Sequence, residues 1–140
     1  MEIILITLLL LFMIILAGLH IYWGHGGLWP GKDKQDLIDK VYGEGSAFPS
    51  ITACYAVAVL LLIAGLLPFF SLKLLPSYGL WQYFSYGNYI VAFVFLVRGI
   101  AGLFLFNEKS KTKIFVYYNR IIYSPLTIVL GLVYLYFAVV

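Results

Sequence analysis

The chain alternates between long apolar runs and shorter polar stretches. Apolar runs cover 3–23, 51–70, 89–106 and 118–140, the third slightly short. A helix crosses a hydrocarbon core of about 30 Å with about 20 residues. Among lipid tails the backbone finds no water, so each run must be helical. The pattern predicts an all-α integral membrane protein, an antiparallel bundle of four transmembrane helices forming a single domain over 1–140. Only Glu2 precedes the first run and no small-x-small cleavage site follows it, so it reads as a retained span and not a secretory signal.

The polar stretches have their own patterns. Within 24–49, Leu37 and Val41, Ile38 and Tyr42, and Asp36 and Lys40 each stand four apart, which predicts a short amphipathic helix over 33–42. Ser50 is placed to cap the second span. That span carries Ala53, Ala56, Ala58, Ala64 and Gly65, small residues that let helices approach closely, and reads as scaffold. The stretch 71–88 holds Tyr78, Trp81, Tyr83, Phe84 and Tyr86 and reads as a loop lying among headgroups. The stretch 107–117 is short and basic.

Composition agrees with a lipid solvent: 64% of residues are apolar and 11% charged, against roughly 45–50% and 25% in soluble domains. The net charge of +3 sits in loops between apolar runs, so no nucleic-acid partner is expected. Cys54 is the single cysteine, which excludes an intrachain disulfide and a cysteine-based metal site. Lys32, Lys34, Lys40, Lys109, Lys111, Lys113 and Arg120 fall on one side of the membrane and Lys73 on the other. The positive-inside bias therefore places 24–49 and 107–117 in the cytoplasm and both termini outside.

Candidate chemistry concentrates at the cytoplasmic ends of the spans. Residues 20–30, HIYWGHGGLWP, pack both histidines and two of the three tryptophans into one stretch, which reads as one wall of a site. Arg98 lies within the third span, at a depth of roughly 12 Å. A charge there costs at least about 2.5 kcal/mol at the helix centre and so faces a partner. Yet no Asp or Glu falls inside any span at its level. Two readings of Arg98 stand: it holds an anion, or it cross-links helices. Asn119, Tyr123, Thr127 and Gly131 recur every fourth residue and predict a stripe facing it. His20 and Trp23 share a face at the same level. Two histidines without a cysteine or an inward carboxylate make no metal site, and no cofactor is expected.

His20-x-Tyr-Trp23, Gly26-Gly-x-Trp-Pro30, Arg98-Gly99 with Gly102, and Asn119-x-x-x-Tyr-Ser-Pro-Leu126 together resemble a family of short four-helix membrane proteins catalogued as domain of unknown function 3995. The resemblance covers nearly the whole chain. It implies a bacterial inner-membrane location and no assigned activity.

The leading functional expectation is binding of an anionic or amphipathic small molecule, or of a membrane lipid, in an inner-leaflet pocket. Arg98 would hold the charge, Asn119 and Tyr123 would orient the guest, Trp23 and Trp29 would close the apolar side, and His20 would add a titratable contact. The alternatives are a membrane enzyme with His20 as acid or base, and an accessory subunit of a membrane complex. A homo-oligomer suits a transport variant of the first.

Overall fold

The structure is a computed structural model of the 140-residue chain and describes residues 1–71, 80–106 and 111–140. All regular structure among them is helical: α1 (Glu2–Gly24), α2 (Lys34–Val41), α3 (Ile51–Ser71), α4 (Trp81–Phe104), α5 (Lys113–Tyr118), a π-turn (Asn119–Tyr123) and α6 (Ser124–Val139). Four helical segments are long and apolar enough to cross a membrane: α1, α3, α4 and the continuous stretch Lys113–Val139.

Neighbouring spans run antiparallel. Gly24 of α1 lies against Cys54 of α3, while Gly65 lies against Met13. Gly102 of α4 meets Asn119 and Ser124, Gly99 meets Thr127, and Gly131 of α6 meets Leu96. Ile6, Leu9 and Met13 of α1 share one buried cluster with Ala64, Ala92, Leu130, Tyr134 and Phe137. Large apolar side chains elsewhere face outward, including Leu60, Ile90 and Phe93 at 64%, 64% and 68% exposure. That inversion is what a lipid solvent requires.

Two boundaries differ from the sequence expectation. The third span is expected over 89–106, but α4 begins at Trp81, so Trp81, Tyr83, Phe84 and Tyr86 are helical and not part of a loop. The 24 residues of α4 extend roughly 36 Å. Its first turns therefore reach past the hydrocarbon into the interface, where Tyr and Trp side chains belong. Tyr78 lies outside the described residues. The fourth span is expected from 118, but helix starts at Lys113, where the Thr112 side chain accepts a hydrogen bond from Phe115 N at 3.4 Å.

The expected amphipathic segment is α2. Asp33 caps it by accepting from Asp36 N at 2.9 Å, and the Asp36 carboxylate accepts from Lys40 Nζ at 2.7 Å. Leu37 and Ile38 are buried. Ser50 accepts from Ala53 N at 3.3 Å at the start of α3, as a cap does.

The element α2 folds over one end of the spans and is fastened to the start of the fourth. Thr112 N donates to the Gly43 carbonyl at 2.8 Å, and the Thr112 hydroxyl donates to the Asp39 carbonyl. Gly43 has φ +80°, and a Cβ there would stand 2.5 Å from the Phe115 ring, so glycine is required on both counts. Lys111 pairs with Glu44 at 2.8 Å and sits among the rings of Tyr42, Phe106 and Phe115 at 5.2, 5.4 and 5.6 Å. These contacts close one end of the spans, the capped end of the molecule.

Candidate functional site

Arg98 projects from α4 toward the π-turn. Its Nη1 and Nη2 both donate to Asn119 Oδ1 at 3.3 Å, and its guanidinium carbon lies 5.0 Å from the centre of the Phe106 ring. Asn119 is fully buried and uses both ends of its amide: Nδ2 donates to the Gly102 carbonyl at 2.6 Å, and Oδ1 also accepts from Ser124 Oγ at 3.2 Å. A side-chain amide in low dielectric, bonded on every side, is a rigid connector between helices.

The π-turn explains why these residues meet. Pro125 has no N–H for the carbonyl four residues earlier, and its ring crowds that carbonyl. The chain widens by one residue instead, and Ser124 N bonds to the Asn119 carbonyl, five residues back. The widened turn changes which side chains share a face. Asn119, Ser124 and Thr127 point at α4, against Gly99 and Gly102. Tyr123 turns to α2 and donates its hydroxyl to the Lys40 carbonyl at 3.0 Å. The expected stripe of every fourth residue therefore breaks. Tyr123 leaves it and Ser124, which sequence reasoning missed, enters it. Pro125 carried the signal.

Trp23, Trp29 and Tyr123 come together. With Leu19, Pro30, Lys40, Val41, Tyr118 and Ile122 they bound a cavity of about 340 Å³ at the junction of α2 with the spans. Trp23 Nε1 donates to the Trp29 carbonyl at 2.7 Å, and Trp29 N faces the Tyr22 hydroxyl at 3.4 Å, so the 20–30 stretch is folded back on its own helix. The Trp29–Pro30 peptide is cis. Among the described residues Lys40 is the one cation on this cavity wall. Its ammonium is shared between Asp36 at 2.7 Å and the Pro30 carbonyl at 3.3 Å. Asp36 also accepts from Lys32 N at 2.7 Å. The Lys40 hydrogen bond and then the Lys32 amide hold the Asp36 carboxyl below its usual value.

The other three expected residues lie elsewhere. Arg98 and Asn119 stand behind Tyr123 in the α4 cross-link and do not border this cavity. His20 packs edge-on against Trp23 at 5.3 Å, and its Nδ1–H donates to the Leu16 carbonyl at 2.8 Å. It borders a second cavity, also about 340 Å³, with Trp23, Val41, Phe48, Pro49 and Cys54. His25, the other histidine of that stretch, bonds Tyr55 through Nε2 at 2.8 Å.

Fold and site together define an all-α membrane protein with four spanning helices, one end of which is capped by a short amphipathic helix over an aromatic cavity. Four of the cavity residues, Trp23, Trp29, Pro30 and Tyr123, belong to the motifs that carry the resemblance. The chain belongs to the family described as protein of unknown function DUF3995, whose model matches residues 13–134. No curated protein and no solved structure matches it.

Proposed function

We propose that this protein binds an amphipathic, anionic molecule in the cavity between Trp23, Trp29, Tyr118 and Tyr123. The apolar body lies against the aromatic walls and the anionic head meets the Lys40 ammonium. The proposal places the four spans as a bundle in a bacterial inner membrane, with the capped end cytoplasmic, so the guest enters from the inner leaflet. The supporting observation is the cavity: about 340 Å³, walled almost wholly by apolar and aromatic groups, with one cation at its edge. Small-molecule sites have this composition, an apolar chamber of at least about 300 Å³ with a few placed polar groups.

The anion contact passes from Arg98, where the sequence alone put it, to Lys40. Arg98 is turned to Asn119 and the Phe106 ring, whereas Lys40 exchanges a carboxylate partner, Asp36, for the guest's head. The exchange keeps the Lys40 charge paired with and without the guest, while the partly exposed Asp36 carboxylate keeps its bond from Lys32 N at 2.7 Å and meets solvent.

The test is native mass spectrometry of the protein in a steroid-based detergent with added dodecyl phosphate. Wild type is expected to retain one dodecyl phosphate, and Ile122→Trp, which fills the cavity, is expected to lose it. Equal retention by both overturns the assignment.

A further inference from the structure

Trp23 has cavities on both of its sides. The first, described above, lies toward Trp29 and Tyr123; the second lies toward His20, Phe48 and Cys54. Each measures about 340 Å³. Among the described residues Trp23 and Val41 are the two that border both.

We infer that the two cavities are halves of one bipartite chain-binding site, and that Trp23 is the partition that sets the length of chain the site accepts. This rests on the assignment of the first cavity as a binding site for an amphipathic anion. Three contacts hold the partition in place. Its Nε1–H is tied to the Trp29 carbonyl at 2.7 Å, His20 packs edge-on at 5.3 Å, and Phe48 packs edge-on at 5.9 Å. The first of these comes from the wall of the first cavity and the other two from the wall of the second. The indole is half-buried, and one rotamer change moves its plane out of the shared wall.

Lys40 fixes the direction of the guest. It borders the first cavity and not the second, so the head stays on the first side, and in the proposed site the chain runs from there past Trp23. A chain that fills the first cavity stops at the indole. A longer one reaches the second only if the indole yields. Wild type is therefore selective for a single chain of limited length, and the second cavity, lined by Ala53, Cys54 and Val57 of α3, is the space a longer chain would enter.

The experiment measures affinity for octyl, dodecyl and hexadecyl phosphate in wild type, Trp23→Ala and Val41→Ala. Each further methylene taken from water raises affinity by about fourfold. In wild type the rise is expected to stop between dodecyl and hexadecyl. In Trp23→Ala it is expected to continue, with hexadecyl phosphate gaining at least about sixteenfold relative to wild type, the equivalent of two added methylenes. Val41→Ala opens the same wall from α2 and is expected to show a smaller gain in the same direction; it carries the test should Trp23→Ala not assemble. If no alkyl phosphate binds wild type or either variant, the assignment of the first cavity falls. If all bind with one unchanged chain-length profile, that assignment stands and the partition is overturned.

Discussion

Asn119 holds Arg98: one amide oxygen accepts from both terminal nitrogens of the guanidinium at 3.3 Å, while the amide's own nitrogen is anchored on the Gly102 carbonyl at 2.6 Å. A cation inside a span is thereby stabilised by a fully buried neutral dipole together with the face of Phe106 at 5.0 Å. Asn119→Leu removes the acceptor and leaves the guanidinium with the Phe106 face alone. The expected loss is about 3 kcal/mol, read as a fall in the unfolding midpoint in detergent. Arg98→Leu on that background is expected to recover most of it. A double variant no better than the single one would show that the two residues act independently.

Gly102 sits where this network has no room for a side chain. A Cβ there would lie 2.2 Å from Ser124 Oγ and 2.6 Å from Arg98 Nη1. Gly102→Ala is expected to cost about 1–3 kcal/mol through overpacking, although alanine is the better helix former by up to about 1 kcal/mol. Gly18, with no atom within 4 Å of its Cβ position, is the control: Gly18→Ala is expected to be neutral or stabilising in the same thermal assay.

Tyr134 presents the opposite case. It is fully buried and its hydroxyl has no hydrogen-bond partner among the described residues, while its ring stacks on Phe95 at 5.8 Å. An unpaired buried hydroxyl costs roughly 1–3 kcal/mol. Tyr134→Phe keeps the ring and removes that cost, so the midpoint is expected to hold or rise. A fall of more than about 1 kcal/mol would mean that the hydroxyl has a partner worth a hydrogen bond.

The docking of α2 is pH-dependent through Asp36. Its carboxyl titrates below the usual value because the Lys40 ammonium, and then the Lys32 amide, favour the charged form. A depressed folded-state pKa contributes stability above the unfolded value, and that contribution is lost as pH falls through the folded one. The protection factors of the buried Leu37 and Ile38 amides, taken against the intrinsic exchange rate at each pH, are expected to be high at neutral pH and to fall below about pH 4, the ordinary range of an Asp carboxyl. Asp36→Asn should lower them at neutral pH. Protection unaffected by both acid and substitution would remove the Asp36–Lys40 pair from the cap's stability.

Much of this architecture is legible in the sequence, and the exceptions have physical causes. The four spans follow from apolar length, and α2 from three pairs of residues four apart. The start of α4 does not follow, because Trp81, Tyr83 and Tyr86 suit an interfacial loop and an interfacial helical turn equally well. The face of Tyr123 is misjudged because a periodicity of four assumes an unbroken α-helix. Pro125 interrupts it, and one extra residue in the turn sends Tyr123 to Lys40 and Ser124 to Gly102. Lys40 itself reads as the surface partner of Asp36. Only the folding of α2 onto the spans brings it beside Trp23 and Trp29, and nothing local in the sequence encodes that.

The most direct measurement is a density map of the protein purified in lipid nanodiscs without added ligand. The account predicts an elongated density inside the cavity, flanked by the Trp23, Trp29 and Tyr123 rings and ending within hydrogen-bond distance of Lys40 Nζ. A cavity closed by its own side chains, with Lys40 bonded only to Asp36 and Pro30 and with lipid density confined to the outer surface of the helices, would contradict it.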